Sequence, residues 1–157
     1  MKKPLAILLS LTLIACVRAD QLIGEVSTAF ILIGANHKVI VEAYDDPKVN
    51  GVACYVSRAK TGGVMGTIGL AEDKSEASIA CRQVGPISFT AKTIEQQEEM
   101  FNERISAVFK KLRVVRMVDR KRNVLVYLTY SDRLIDGSPQ NSVTAVPLGT
   151  VALPTVK

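Results

Sequence analysis

The residues of this chain able to do acid–base work fall into pairs, Asp45/Asp46, Glu72/Asp73 and Asp132/Asp136. Catalysis by two carboxylates needs environments that split their pKa values, one group held protonated as the acid and the other ionised as the base. Adjacent residues of a strand or turn point their side chains apart, so none of these pairs is assigned a catalytic role. Nucleophilic catalysis has less to build on. His37 is the single histidine, it closes the turn-like run Gly34-Ala35-Asn36-His37, and no serine stands in a Gly-x-Ser-x-Gly elbow. A solvated turn histidine is the simpler reading. The cysteines lack Cys-x-x-Cys spacing, and two of them with one histidine do not complete a tetrahedral set, so neither metal nor cofactor is expected.

The segment from Lys60 to Gly69 is the best place to seek a ligand, through Lys60, Thr61, Gly62, Gly63, Gly66 and Gly69. It matches neither the P-loop, which needs Gly-Lys-Ser/Thr, nor the dinucleotide fingerprint, which needs Gly-x-Gly. A mobile or tightly turned surface loop is therefore expected rather than a phosphate cradle, and such loops on a rigid scaffold commonly carry function. Leu70 to Ser75 mixes charge signs and reads as a turn or short helical loop. The basic residues Lys110, Lys111, Arg113, Arg116, Arg120, Lys121 and Arg122 could meet anionic headgroups or envelope polymers. Their plainer role is the solvated face and tip of a hairpin, which also discourages edge pairing.

The elements that must hold these residues read mostly as strands, because apolar residues alternate and are rich in Val, Ile and Tyr. Val39, Val41 and Ala43 face one way and Lys38, Glu42 and Tyr44 the other, before Asp45-Asp46-Pro47 breaks the run. Val52 to Ser57 repeats the alternation with Cys54 on the buried Val52/Val56 face, and Ala77 to Val84 is a partner strand carrying Cys81 inward. Leu112 to Val118 and Val124 to Tyr130 flank a five-residue polar loop, Asp119 to Asn123, and form a hairpin. Thr93 with Gln96 three residues on suggests a capping box opening one short helix over Ile94 to Met100. Asp136-Gly137-Ser138-Pro139 is a turn and Val143 to Val146 a last strand. The economical architecture is mainly β, an antiparallel sandwich or barrel-like single domain with at most one or two short helices.

Lys2 and Lys3 precede an apolar stretch from Leu5 to Ala15, the anatomy of an export signal. That stretch is too short to span a bilayer, which takes roughly 20 residues. Two cleavage outcomes stay open. Val17-Arg18-Ala19 suits ordinary signal peptidase, making residues 1–19 the signal and 20–157 a single domain. Leu13-Ile14-Ala15-Cys16 resembles a lipobox, which would end the signal at residue 15 and make Cys16 a lipidated first residue, tethering the domain to a membrane. With Cys16 set apart, Cys54 and Cys81 remain for a disulfide in an oxidising compartment. Closing a loop of about 27 residues would contribute roughly 3–4 kcal/mol. The formal net charge of +5 includes Lys2, Lys3 and Arg18, so removal of the signal leaves +2, too mild an excess to argue for nucleic acid.

These residues also carry a resemblance. Val41-Glu42-Ala43-Tyr44-Asp45-Asp46-Pro47, the run from Cys54 to Gly63, Gly69-Leu70-Ala71-Glu72-Asp73, Gln83-Val84-Gly85-Pro86-Ile87, Val124 to Ser131 and Gly137-Ser138-Pro139 are similar to the CreA family of bacterial periplasmic proteins. The resemblance implies export, and a gene often beside a two-component system responding to carbon source. It implies no established activity and supplies no catalytic residues. The chain is therefore expected to be a periplasmic domain that binds an envelope protein or small ligand without catalysis, with no transmembrane helix and a lipid anchor only through Cys16. Such a domain should hold no ionisable cluster buried and mutually paired in a cleft. The alternative, a small periplasmic hydrolase or lyase using loop carboxylates, requires two of Asp45, Asp46, Glu72, Asp73 and Asp132 to converge.

Overall fold

The computed structural model describes residues 20–68, 76–104, 111–132 and 140–157. Residues 1–19, expected to be an export signal and including Cys16, together with Gly69, the run Leu70 to Ser75, Lys110 and the turn expected at Asp136–Pro139, lie outside the described residues. The chain forms two antiparallel four-stranded sheets. The first is a meander of β1 (Asp20–Ala29), β2 (His37–Asp45), β3 (Val49–Lys60) and β4 (Ala77–Phe89) in that order. The second is a meander of β6 (Gln97–Arg104), β7 (Lys111–Asp119), β8 (Val124–Ser131) and β9 (Asn141–Pro147). A small parallel pair, β5 (Thr93–Ile94) with β10 (Thr155–Val156), secures the C-terminal segment.

Alternation dictates which side of each strand is dry, because successive side chains point to opposite faces of a sheet. On β3 the inward set is Val52, Cys54, Val56 and Arg58; on β7 it is Leu112, Val114, Arg116 and Val118; on β8 it is Leu125, Tyr127, Thr129 and Ser131. The two inner faces share one core, in which Tyr44 of the first sheet stacks on Phe101 of the second with ring centroids 3.8 Å apart. This is sandwich packing. The edges of β4 and β9 approach one another through side-chain hydroxyls rather than a backbone ladder: the Ile79 and Cys81 amides donate to Ser142 Oγ and Thr144 Oγ1 at 3.5 and 3.4 Å. The sheets therefore stay open.

The Cys54 strand, its Cys81 partner and the β7–β8 hairpin form as expected, with Asn123 in the left-handed region (φ 54) closing the hairpin turn. Three expectations change. The segment 94–100 is extended, not helical: Thr93 and Ile94 pair with the C-terminal strand, and β6 lies along β7 so that Glu98 stands opposite Arg116. Helix propensity in this glutamate-rich run is overridden by cross-strand arginines that only the tertiary fold supplies. A short helix, α1 (Gly63–Thr67), forms instead inside the glycine-rich segment. Finally, Val143 to Val146 falls in β9, but β10 follows it.

Candidate functional site

The glycine-rich segment is positioned by what its glycines allow. As β3 ends at Lys60, the chain turns back onto the β1–β2 connection: the Gly63 amide donates to Ala35 O at 2.6 Å and the Gly62 amide to His37 Nδ1 at 3.0 Å. A Cβ on Gly62 would fall 2.1 Å from Ala35 O, and one on Gly34 would fall 2.4 Å from the Gly63 carbonyl carbon. These glycines serve the contact of two backbones, which no side chain would permit. Thr67 Oγ1 donates to Gly63 O at 2.9 Å and accepts the Ala35 amide at 3.1 Å, tying α1 to the same connection. His37 is thus a half-buried acceptor rather than a solvated turn residue. Lys60 lies directly opposite Lys38 at the mouth of this loop pair. Phe30, Leu32 and Ile33 from one loop and Val64, Met65 and Ile68 from the other are all exposed.

The ionisable residues gather elsewhere. Arg116 is fully buried on the core face of β7, where its Nη1 donates to both Asp46 oxygens at 2.8 Å and its Nη2 to Glu98 Oε2 at 2.7 Å. Asp46 Oδ2 also accepts the Tyr127 hydroxyl at 2.8 Å, and Asp46 Oδ1 accepts the Lys48 and Val49 amides at 2.8 and 3.1 Å. Lys48 completes the group through Glu98. Burial, then the Asp46 charge and its hydrogen bond, push the Tyr127 phenol well above its usual range. A mutually paired cluster therefore exists, with Asp46, Arg116 and Tyr127 buried and Glu98 and Lys48 partly exposed, but it lies between the sheets rather than in a cleft, and it fastens the β2–β3 turn of one to β6, β7 and β8 of the other. Arg58 and Glu42 form a second buried pair, Nε to Oε2 at 3.1 Å, on the inner face of the first sheet.

On the outer face of β7, Arg113 bridges Asp132, at 2.9 Å from Nε, and Glu99. Burial opposes the Glu99 charge, but hydrogen bonds from Arg113 and Asn102 outweigh it and hold that carboxyl below its usual range. The basic residues accordingly do not form one free surface. Arg116 belongs to the core, Arg113 is paired, Arg122 is held by Asp119, and Arg120 bonds Gln96 and Val156 O. Asp45 is exposed while Asp46 is buried, and Asp46 and Asp132 engage arginines on opposite faces of one strand, so these carboxylates do not converge. Glu72, Asp73 and Asp136 lie outside the described residues.

Cys54 and Cys81, directly opposite one another on β3 and β4, are joined by a disulfide with Cα atoms 3.9 Å apart, buried in the core. Beside it, an open cleft of about 560 Å³ runs between Cys81, Arg82 and Gln83 of β4 and the segment 145–151. No carboxylate lines this cleft, and among the described residues no group of three His, Cys, Asp or Glu could hold a metal. No helix among the described residues is long and apolar enough to cross a membrane.

The family model described as CreA protein matches residues 23–151, which takes in both sheets apart from the first three residues of β1. The chain belongs to the CreA family. It is 51% identical over 149 residues to Protein CreA of Escherichia coli strain K12, covering 93% of this chain and 95% of that relative, and matches Protein CreA of the O6:H1 and O157:H7 strains to the same extent. No solved structure matches it. The CreA resemblance read from the segments around Tyr44, Cys54 and Gly63 is thereby shown to hold across the fold. Sequence reasoning missed Arg116 and Glu42 as core residues, although the signal was present. Arg116 keeps step with Leu112, Val114 and Val118, and Glu42 with Ile40 and Tyr44, so period-two alternation already put both on dry faces.

Proposed function

We propose that this CreA-family chain is an exported accessory domain of the cell envelope that binds without catalysis, engaging its target through the end of the sandwich where α1 docks on the β1–β2 connection. The observation that carries this reading is the division of labour between residue types. Of the eleven large apolar side chains exposed among the described residues, six stand on these two loops, and Leu22, Ile23 and Val26 follow them along β1. The described carboxylates near the core and along β7 are instead consumed by arginines. The leader-like residues 1–19 support export to the periplasm, release after Ala19 giving a soluble domain and acylation of Cys16 a tethered one. The target is an envelope component, either a protein or a small ligand, and the loop residues Lys60, Thr61, Gly62, Gly63, Gly66 and Gly69 frame the contact.

Titration of the ¹⁵N-labelled protein with detergent-solubilised envelope from its own cells tests the reading. Amide signals of residues 30–36 and 61–68 should broaden before any others. Broadening that begins instead at Asp46, Asp132 or the cleft beside Cys81 would contradict it.

A further inference from the structure

Phe30, Leu32, Ile33, Val64, Met65 and Ile68 are between 53 and 86% exposed, and all six stand on the two loops that the Ala35–Gly63 bridge holds side by side. The polar groups at this tip are already used within it. Asn36 Oδ1 accepts the Ile31 amide at 2.9 Å, Thr67 Oγ1 serves both Gly63 and Ala35, and His37 Nδ1 is taken by Gly62. The tip thus turns a hydrocarbon surface outward while the Ile31, Ala35, Gly62, Gly63 and Ile68 amides bond within it, which lowers the cost of entering a medium that offers no hydrogen bonds. No Asp or Glu occurs from Val26 to Val41 or from Ser57 to Ile68, and among the described residues Glu25, at the flank of the tip, is paired with Lys38. Lys60 stands behind the apolar side chains, opposite Lys38, where a long aliphatic stem can lie along the tip with its ammonium at headgroup depth.

We infer that the partner of this end is a lipid surface: the paired loops insert their apolar side chains shallowly into an anionic bilayer, with Lys60 meeting the headgroups. A partner protein would have to offer its own apolar pocket to these side chains, whereas a bilayer accepts them as they stand. The inference rests on the binding reading above and names its target. It is compatible with the mild net charge, because insertion is led by apolar area and charge adds a smaller share.

The chain contains no tryptophan, so one introduced indole reports its own surroundings. The test uses protein purified from the envelope of expressing cells, carrying Leu32→Trp at the tip or Val143→Trp on the exposed face of β9, with vesicles of phosphatidylglycerol mixed with phosphatidylcholine. Leu32→Trp emission should shift to the blue on addition of vesicles and Val143→Trp emission should not. Adding Met65→Glu to Leu32→Trp should lower vesicle affinity about tenfold or more, and Lys60→Gln about fivefold at low salt, an effect that added salt removes. Leu32, Met65 and Val143 are exposed and Lys60 is half-buried, and circular dichroism verifies that the variants remain folded. No shift at residue 32, or equal shifts at both positions, overturns the inference. A blue shift that grows with protein concentration in the absence of vesicles also overturns it, assigning the tip to a second copy of the chain. Failure here alongside loop broadening by solubilised envelope would remove the lipid surface and leave the binding reading standing; failure of both would remove both.

Discussion

At the scale of single residues, the behaviour of this protein turns on where its charges are spent. Asp46 and its neighbour Asp45 look alike in the sequence, but one accepts bonds from Arg116, Tyr127 and two backbone amides while the other faces water. Asp46→Asn leaves a buried guanidinium without its carboxylate and should cost about 3–5 kcal/mol in urea unfolding, while Asp45→Asn should stay within about 0.5 kcal/mol. Tyr127 gives the pH dependence. Its folded-state pKa is raised above the ordinary value of 10.0, so the folded protein keeps a proton that the unfolded chain gives up above that pH. Its contribution is therefore complete below pH 10.0 and declines as the pH rises beyond it. Chemical denaturation from pH 8 to 11 should show an alkaline fall in stability that is smaller in Tyr127→Phe than in the parent.

At the scale of elements, the strands were legible wherever alternation was clean, as in Val52 to Ser57 and the 112–130 hairpin. The candidate site was legible only in outline. The glycines of residues 62–66 marked a turned segment, but their purpose, to let one backbone lie against Ala35 and Asn36, depends on a contact between loops distant in sequence. The helix expected over Ile94 to Met100 failed for a related reason. Its glutamates find arginines across a strand pair, and a single-sequence reading cannot see the neighbour that outbids local propensity. Within the basic cluster, Arg120, Lys121 and Arg122 stand exposed at the hairpin tip as expected, whereas Arg116 was misplaced because the cluster was treated as composition rather than as a strand whose residues alternate. If the close approach of the two loops sets the candidate site, Gly62→Ala should destabilise that end by about 1–3 kcal/mol. Hydrogen exchange should then quicken at the Gly63 amide while the β7–β8 ladder stays unchanged.

At the scale of the whole molecule, the sandwich is held by a buried salt-bridge cluster at one place and a disulfide at another, and its apolar tip lies at the far end of β1 from its start at Asp20. β1 has 10 residues, so at about 3.3 Å per residue its two ends are some 30 Å apart. Three residues, 17–19, would separate an acylated Cys16 from the start of β1, four Cα steps with an extended reach of about 14 Å, so a Cys16 anchor and the tip address a membrane from opposite ends of that strand. Release after Ala19 leaves the tip alone to do so. The intact mass of protein purified from its own cell envelope, taken with and without reductant, tests whether the chain is an exported domain closed by one internal disulfide. The predicted result is a chain beginning at Asp20 whose mass rises by about two hydrogens on reduction of Cys54–Cys81. A mass that still includes Met1, or one that reduction leaves unchanged, would contradict it.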